Sequence, residues 1–226
     1  MYKNVSVIIP AFNEEKRIVN TLLAVKEVDF ISKIFVVDDG SIDQTVEQAL
    51  TVENIIVIKN KENKGKGHAL KVGVEAAIED SDILVFLDAD LQESAKEATK
   101  LIEPLINDVA DVTIAKFPPS KKKGGFGLVK NLAKYGVFLN TGVKLHTVLS
   151  GQRAFKKKVL QNIHLDYEGY AIELGMTIDI IKKGFVIKEI EVEMFHNETE
   201  RNLSGFYHRG KQFYHIFKSL LGRRIR

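Results

Sequence analysis

Two aspartates directly follow an apolar run in the stretch ILVFLDADLQE, residues 83–93. The run ILVFL, residues 83–87, is typical of a strand that is buried on both faces of a sheet. Carboxylates are costly to bury unless they are paired or bind a metal ion. Asp88 and Asp90 are two residues apart, and residues at this spacing on a strand point to the same side. The pair therefore predicts a site for a hard divalent cation, Mg²⁺ or Mn²⁺.

The same aspartates also fit a loop in which Asp90 caps the helix that follows. The two interpretations differ in the ligand that they require. Mg²⁺ is typically held by one or two carboxylates together with substrate phosphates. A cation site therefore predicts a ligand with a diphosphate group, whereas a capped loop requires no ligand.

Strand-like and helix-like segments alternate over the first half of the chain and must position these aspartates. The strands are predicted at 5–11, 32–41, 54–60, 82–90 and 110–117, and the helices at 13–28, 41–52, 65–80 and 94–108. This alternation predicts right-handed βαβ crossovers and a mainly parallel sheet in an α/β fold. Ligands of such sheets bind beyond the carboxyl ends of the strands. Polar residues lie at three of these ends: Asn13 and Glu14, Asp38 and Asp39, and Asp88 and Asp90.

The second half of the chain is less regular. Helices are predicted at 128–143 and 168–184, a strand at 185–194, a short strand or turn at 150–157, and a basic amphipathic helix at 204–226. The basic segment PPSKKKGGFG, residues 118–127, is rich in turn-forming residues and predicts a loop. We therefore expect a single domain over residues 1–203, with halves at 1–117 and 118–203, followed by the helix at 204–226.

Composition limits the kinds of site and the location of the protein. The chain of 226 residues has no cysteine, which excludes disulfides, thiolate metal sites and a cysteine nucleophile, and which fits a reducing cytoplasm. A membrane-spanning helix needs roughly 18 apolar residues in a row, and no such run occurs, so none is expected. The first apolar run stops at Pro10 and lacks the features of a signal peptide.

The basic charge of the chain is concentrated at its end. Residues 201–226 hold seven of the 33 Lys and Arg residues and none of the 30 Asp and Glu residues, so the remainder has a net charge of −4. A basic tail can contact anionic lipid or nucleic acid, and it can equally be a solvated helix end. Because the body is acidic and no aromatic–basic motif recurs in it, we do not expect a nucleic-acid-binding protein.

Four motifs occur in one order along the chain: VSVIIPAFNEE, VVDDGSIDQT, NKGKGHAL and FLDADLQ. In this order they resemble the nucleotide-sugar-binding half of family-two glycosyltransferases with the GT-A fold, over residues 5–92. DADLQ and SGQRAF resemble the polyprenyl-phosphate (dolichol-phosphate) sugar synthases. Residues 169–198 resemble both those synthases and the glucosyl-3-phosphoglycerate synthases. The resemblance implies a three-layer α/β/α domain with a mainly parallel mixed sheet.

The resemblance also implies a pocket for a nucleoside diphosphate sugar. Pro10, Ala11 and Glu14 would line the part that takes the base and the ribose. Asp39 would accept hydrogen bonds from the edge of a uracil or guanine base, and Asp38 would support it.

A metal site is implied next to this pocket. Lys66 would lie beside the nucleotide, and Asp88 would contact the ribose or a metal-bound water. Asp90 would ligate Mg²⁺ or Mn²⁺ at the diphosphate, and Gln92 would add a ligand. His196 would complete the metal shell, and its imidazole suits Mn²⁺ better than Mg²⁺. The alternatives are a solvated lysine at Lys66 and a structural histidine at His196.

Three residues of the second half are implied to act on the substrates. Glu173 is the candidate base for an acceptor hydroxyl, and it would orient the acceptor or the sugar if the acceptor is an ionised phosphate. Gln152 and Arg153 are assigned to substrate binding, since a guanidinium can pair with a diphosphate or an acceptor phosphate through two hydrogen bonds. The alternatives are an exposed helical glutamate at Glu173 and an ion pair that stabilises a turn at Arg153.

Together these features predict a metal-dependent transfer of a hexose, first of all glucose from UDP-glucose. The acceptor is open between a polyprenyl phosphate and a soluble small molecule such as a phosphoglycerate. A lipid acceptor would place the helix at 204–226 on the inner face of the membrane, and otherwise that helix would pack on the body or in a homodimer. The stereochemistry is also open, because the first related class inverts and the second retains. A nucleotidyltransferase is the rival class, but IPAFNEE lacks the glycine-rich basic signature that it needs near the first strand.

Overall fold

The structure is a computed structural model that describes residues 3–118, 128–165 and 172–194. Three predictions fall outside these residues. They concern the loop over most of 118–127, the histidine His196 and the basic helix at 204–226.

The described residues contain one sheet of seven strands, in the order β3-β2-β1-β4-β6-β5-β7. The strands are β1 (Val5–Ala11), β2 (Ile31–Asp38), β3 (Ile55–Lys59), β4 (Ile83–Phe86), β5 (Val112–Lys116), β6 (Arg153–Lys156) and β7 (Ile187–Glu191). The first four pair in parallel, and β5 pairs in parallel with β7. Only β6 runs antiparallel to its neighbours, β4 and β5. The predicted mainly parallel mixed sheet is therefore confirmed.

Helices cover both faces of this sheet. They are α1 (Ile18–Lys26), α2 (Thr45–Leu50), α3 (Lys66–Ala77), α4 (Ala98–Ile106), α5 (Leu128–Thr141), α6 (Lys157–Leu160) and α7 (Ile172–Lys182), and a 3₁₀ turn (Gln92–Glu97) precedes α4. One core cluster joins the sheet to Leu22 of α1 and Leu101 of α4. A second cluster on the other face includes Leu70 of α3 and Met176 of α7. The three predicted layers are thus present, and α5 packs on the outer side of α7.

The central strand β1 shows why the sequence builds these layers. Val7 and Ile9 belong to the first core cluster, whereas Ile8 belongs to the second. Side chains alternate between the two faces of a strand, so a strand with helices on both sides must be apolar throughout. The polar residues of this part of the chain consequently lie after the ends of the strands.

Candidate active site

An open cleft of about 390 Å³ lies beyond the carboxyl ends of β1, β2 and β4 and beside the first turn of α3. The structure brings together seven of the residues that the sequence assigned to the site, namely Pro10, Ala11, Glu14, Asp39, Lys66, Asp88 and Asp90. Parallel strands deliver their carboxyl ends to one edge of a sheet, which explains why such distant residues meet.

Asp39 builds one wall of the cleft. Its carboxylate accepts hydrogen bonds from the backbone N–H of Lys64 at 3.1 Å and of Gly65 at 2.7 Å, and from the side-chain amide of Asn60 at 3.1 Å. Gly65 has a φ of 91°, a conformation that favours glycine, and α3 begins at the next residue. Asp39 thus fixes the loop that leads Lys66 into the cleft.

Asp38 lies behind this wall of the cleft. The side chain is fully buried and accepts a hydrogen bond from the N–H of Ser41 at 3.2 Å. Its carbonyl oxygen accepts a further hydrogen bond from the N–H of Asn60 at 2.9 Å. Asp38 therefore holds the backbone of Ser41 and Asn60 behind Asp39.

Lys66 and Asp88 form an ion pair inside the cleft. The Lys66 Nζ atom lies 2.6 Å from Oδ1 of Asp88 and 3.6 Å from Oε1 of Glu173. Burial alone would lower the pKa of the Lys66 ammonium, but the two carboxylates outweigh burial and raise that pKa above its ordinary value. Lys66 is therefore a fixed cation in the cleft and not the solvated lysine of the alternative interpretation.

The other oxygen of Asp88 is held by the turn before β6. The side-chain amide of Gln152 donates a hydrogen bond to Oδ2 of Asp88, and the hydroxyl of Ser150 donates to the amide oxygen of Gln152 at 3.2 Å. A Cβ atom on Gly151 would lie 2.3 Å from Nζ of Lys66, so a larger residue here would require the flexible end of the Lys66 side chain to move. Gln152 acts on the cleft through Asp88 and does not itself line it.

Asp88 and Asp90 do not lie on one side of a strand, as was predicted, because β4 ends at Phe86. Both aspartates lie in the turn that follows, and both nevertheless line the cleft. The buried hydroxyl of Thr21 shapes this turn, since it donates to the carbonyl of Ala89 at 2.8 Å and accepts from the N–H of Gln92 at 2.8 Å. Helix α1, which carries Thr21, thus holds the backbone on either side of Asp90.

Gln92, the predicted additional metal ligand, lies apart from the cleft. Its side chain is exposed and it does not contribute to the lining. The residue has a φ of 49° and starts the 3₁₀ turn that leads to α4. Its position in this structure fits a turn residue better than a ligand.

Glu14 and Asp90 bring further negative charge to the cleft. Arg17 approaches Glu14 at 2.6 Å between Nη2 and Oε2. Burial raises the pKa of the Glu14 carboxyl above its ordinary value, Arg17 offsets part of this rise, and the charge of Asp90 adds to it. The charge of Asp90 thus acts on Glu14, and two carboxylates that interact in this way are suited to share a cation.

Arg153 is fully buried and is not among the residues that line the cleft. Its guanidinium donates to the carbonyls of Val148 at 2.6 Å and Ser150 at 2.8 Å and to the hydroxyl of Thr177 at 2.9 Å. Burial lowers the pKa of Arg153 to about 10, and the charge of Glu173 offsets part of this shift, so the side chain is a cation at neutral pH. The predicted contact with phosphate has no counterpart in this arrangement.

Glu173 lies in the first turn of α7 with its side chain 12% exposed. It is therefore not the exposed helical glutamate of the alternative interpretation. Its distance of 3.6 Å from Nζ of Lys66 connects it to the ion pair of the cleft. No sequence pattern indicated Thr21, and Gly151 was part of the SGQRAF motif without a role of its own. Phe12 and Asn63 also line the cleft.

The cleft suits a divalent cation that is bound together with a diphosphate. The described residues contain no group of three His, Cys, Asp or Glu side chains arranged as a metal cage. Mg²⁺ does not require such a cage, because one or two carboxylates and the phosphates of a substrate suffice. The carboxylates of Glu14, Asp88 and Asp90 on the lining supply these hard oxygen ligands.

The family model named Glycosyl transferase family 2 matches residues 6–163, which is more than half of the chain. The chain belongs to glycosyltransferase family 2. The match extends from the first residues of β1 to the end of α6 and includes every element that carries the lining of the cleft. The predicted family and the predicted class of enzyme, a glycosyltransferase, are therefore confirmed.

Two curated relatives of this glycosyltransferase carry lipid phosphates in their names. The UDP-N-acetylglucosamine–dolichyl-phosphate N-acetylglucosaminyltransferase of Methanococcus voltae is 32% identical over 70% of this chain and 72% of its own length. The polyprenol monophosphomannose synthase of Mycolicibacterium smegmatis is 29% identical over 87% of this chain and 78% of its own length.

Solved structures also resemble this glycosyltransferase. Glucosyl-3-phosphoglycerate synthase from Mycobacterium tuberculosis, crystallised with Mn²⁺, UDP and glucosyl-3-phosphoglycerate, has a TM-score of 0.81 and covers 98% of this chain and 80% of its own. Its identity is 24%, so the likeness shows the fold and confirms the GT-A prediction. Within the described part of the glycosyltransferase, no helix is long and apolar enough to cross a membrane.

Proposed function

We propose that this glycosyltransferase moves a hexose from a UDP-linked donor to a polyprenyl phosphate with the help of Mg²⁺ or Mn²⁺. The cleft carries the proposal, because it places a fixed cation, Lys66, beside the carboxylates of Asp88 and Asp90. A nucleoside diphosphate needs this combination of a cationic side chain and metal-binding oxygens. The lipid acceptor is supported by the names of the two curated relatives.

The donor would lie with its base near Asp39 and its diphosphate near Lys66. The carboxylate of Asp39 is almost fully buried, and its place at the cleft lets it accept a hydrogen bond from the edge of a uracil. The ammonium group of Lys66 has three donors, so it would bind the diphosphate while it stays paired with Asp88. Asp90, with Asp88 or Glu14 beside it, would hold the cation, which when bound stabilises the negative charge on the departing UDP.

The acceptor would enter on the side of α7. Glu173 lies there, with its Oε1 atom 3.6 Å from the ammonium nitrogen of Lys66. A phosphate acceptor is already ionised and needs no general base, so Glu173 would orient the acceptor or the sugar. For an acceptor with a hydroxyl group, the same carboxylate would accept the proton during attack. The basic helix at 204–226 and a homodimer remain predictions that belong to this proposal.

A transfer assay with separate acceptors tests the proposal. The purified chain is incubated with Mn²⁺ and with UDP-glucose, UDP-N-acetylglucosamine or GDP-mannose, and it receives either polyprenyl phosphate in vesicles or 3-phosphoglycerate in solution. We expect a metal-dependent lipid product from a UDP-linked donor. Product from 3-phosphoglycerate alone would replace the lipid acceptor by a soluble one, and product from GDP-mannose alone would contradict the choice of base.

A pair of matched variants tests the site in the same assay. Asp90→Asn is expected to abolish metal-dependent transfer because it removes a charged oxygen ligand from the cleft. Asp80→Asn is the control, since Asp80 is exposed and pairs with Lys33 beyond the far end of α3. Normal metal dependence in Asp90→Asn would contradict the proposed metal site.

A further inference from the structure

Arg153 is the largest side chain that is fully buried among the described residues. Burying a charge is costly unless the charged group is paired and hydrogen-bonded. The sequence assigned Arg153 to phosphate binding, but the side chain does not line the cleft. Its three hydrogen bonds lead instead to two different elements, and each of them carries a residue of the site.

The first connection of Arg153 runs to the turn before β6. Its guanidinium donates to the carbonyls of Val148 and Ser150, and these bonds fix the backbone of the turn. Gln152, the next residue but one after Ser150, reaches out of this turn and donates a hydrogen bond to Asp88. The backbone of Arg153 itself pairs with Phe86 of β4, two residues before Asp88. Arg153 therefore determines where Gln152 meets the aspartate.

The second connection of Arg153 runs to α7. Its Nη1 atom donates to the hydroxyl of Thr177 at 2.9 Å, and this hydroxyl donates to the carbonyl oxygen of Glu173 at 2.7 Å. Thr177 lies one helical turn after Glu173 and is fully buried. Arg153 thus holds the turn of α7 from which the Glu173 side chain extends towards Lys66.

We propose that Arg153 is a positioning residue that sets Asp88 and Glu173 relative to each other around Lys66. The inference rests on the proposed function, which gives these two carboxylates their tasks at the donor and at the acceptor. A guanidinium suits this position because its planar fork has five N–H donors that can serve several acceptors at once. A lysine has a single nitrogen and cannot reach carbonyls on one side and a hydroxyl on the other.

Thr177→Val separates the two connections, which a change of Arg153 itself would not do. Valine has nearly the shape of threonine but cannot accept the bond from Arg153, so the connection to α7 is lost. The bonds from Arg153 to Val148 and Ser150 are unchanged, so Gln152 and Asp88 stay in place. The matched control is Thr113→Val, because Thr113 is also fully buried and its hydroxyl donates to a helix carbonyl, that of Leu101 on the other face of the sheet.

Kinetics of transfer provide the first measurement. Since a misplacement of about 1 Å can cost roughly a hundredfold in rate, we expect Thr177→Val to lower kcat by about tenfold to a hundredfold. The KM for the UDP-sugar and the affinity for UDP should stay within about twofold of wild type, because the donor side of the cleft is intact. Thr113→Val should leave kcat unchanged. Equal kcat values for the two variants, or a loss of UDP affinity in Thr177→Val, would overturn the proposal.

Hydrogen exchange provides a second measurement that does not depend on transfer. Thr177→Val should speed amide exchange in the first two turns of α7, whereas Thr113→Val should not. If the wild-type chain transfers no sugar to any acceptor, the proposed function fails, and the exchange data still decide whether Arg153 positions α7. Unchanged exchange in α7 of Thr177→Val would refute the positioning role whatever the activity.

Discussion

Gly151→Ala is the sharpest test of the cleft, because it inserts one methyl group at the ion pair. The new Cβ atom would lie 2.3 Å from Nζ of Lys66 and 3.3 Å from Oδ1 of Asp88. Carbon and nitrogen atoms that are not bonded need roughly 1 Å more than the first of these distances. Either the ammonium group leaves Asp88, or the turn that carries Gln152 withdraws from it.

The cost of either movement follows from the contact that is lost. A hydrogen bond between charged groups contributes about 1.5–3 kcal/mol. Solvent screens this pair, since the side chain of Lys66 is 34% exposed and that of Asp88 is 30% exposed, so we reduce this contribution by about a third, to about 1–2 kcal/mol. If UDP binds to Lys66 where the structure holds it, the Kd of UDP with Mn²⁺ should rise about 5- to 30-fold.

Calorimetric titration of UDP in a double-mutant cycle measures this effect. In Lys66→Ala the ammonium group is absent, so the methyl group of Ala at position 151 has room. Gly151→Ala should then weaken UDP binding much less in the Lys66→Ala background than in wild type. Strictly additive effects, to within about 0.5 kcal/mol, would refute the reasoning, because additivity is the behaviour of residues that do not interact.

Three further changes test charges and hydrogen bonds around the cleft and the sheet. Thr21→Val removes the hydroxyl that bridges the backbone on both sides of Asp90. This change should lower the free energy of unfolding in urea by about 1–3 kcal/mol and weaken Mn²⁺ binding. An unchanged midpoint of urea unfolding would contradict this prediction. Burial raises the pKa of the Glu14 carboxyl above 4.5. Any stability advantage of wild type over Glu14→Gln should therefore be greatest below pH 4.5 and shrink as the pH rises towards 7. Melting curves of both proteins at several pH values would check this prediction. Burial alone would raise the pKa of Asp111, but Lys158 and a backbone N–H outweigh burial and hold this pKa below 3.8. The stability that wild type gains over Asp111→Asn should therefore be present at pH 7 and be lost as the pH falls through 3.8 and below. A difference in melting temperature that does not change with pH would count against the ion pair.

The sequence was sufficient to predict the layers and the edge of the sheet at which the cleft lies. Apolar runs such as ILVF, residues 83–86, are buried on both faces because helices cover both sides, and this pattern is local. The chain alternates between strands and helices, so the order of elements also follows from local patterns. The position of Asp39 and Asp90 at one edge then follows from the parallel direction of the strands.

The partners of the charged side chains could not be predicted, because they come from distant parts of the chain. Asp88 meets Lys66, 22 residues earlier, and Gln152, 64 residues later. No periodicity or spacing connects such positions, since the contacts depend on how β6 enters the sheet beside β4. The same limit explains why Arg153 was assigned to phosphate binding. An arginine suits an anion by residue type, and only its burial shows that its three hydrogen bonds go to groups of the protein itself.

Hydrogen bonding and charge also distinguish the two aspartates, to which the resemblance to the family assigned different roles. Both oxygens of Asp88 receive a hydrogen bond, one from Lys66 and one from Gln152, so a cation that binds Asp88 must compete with an ammonium group. Asp90 instead lies in the part of the turn that Thr21 fixes through the backbone, and its charge acts on Glu14, another carboxylate. A cation relieves repulsion between carboxylates but adds repulsion to an ion pair that already contains a lysine. Because Glu14 also pairs with Arg17, we propose that Asp90 is the main ligand of the metal, whereas the side of Asp88 and Lys66 takes the diphosphate.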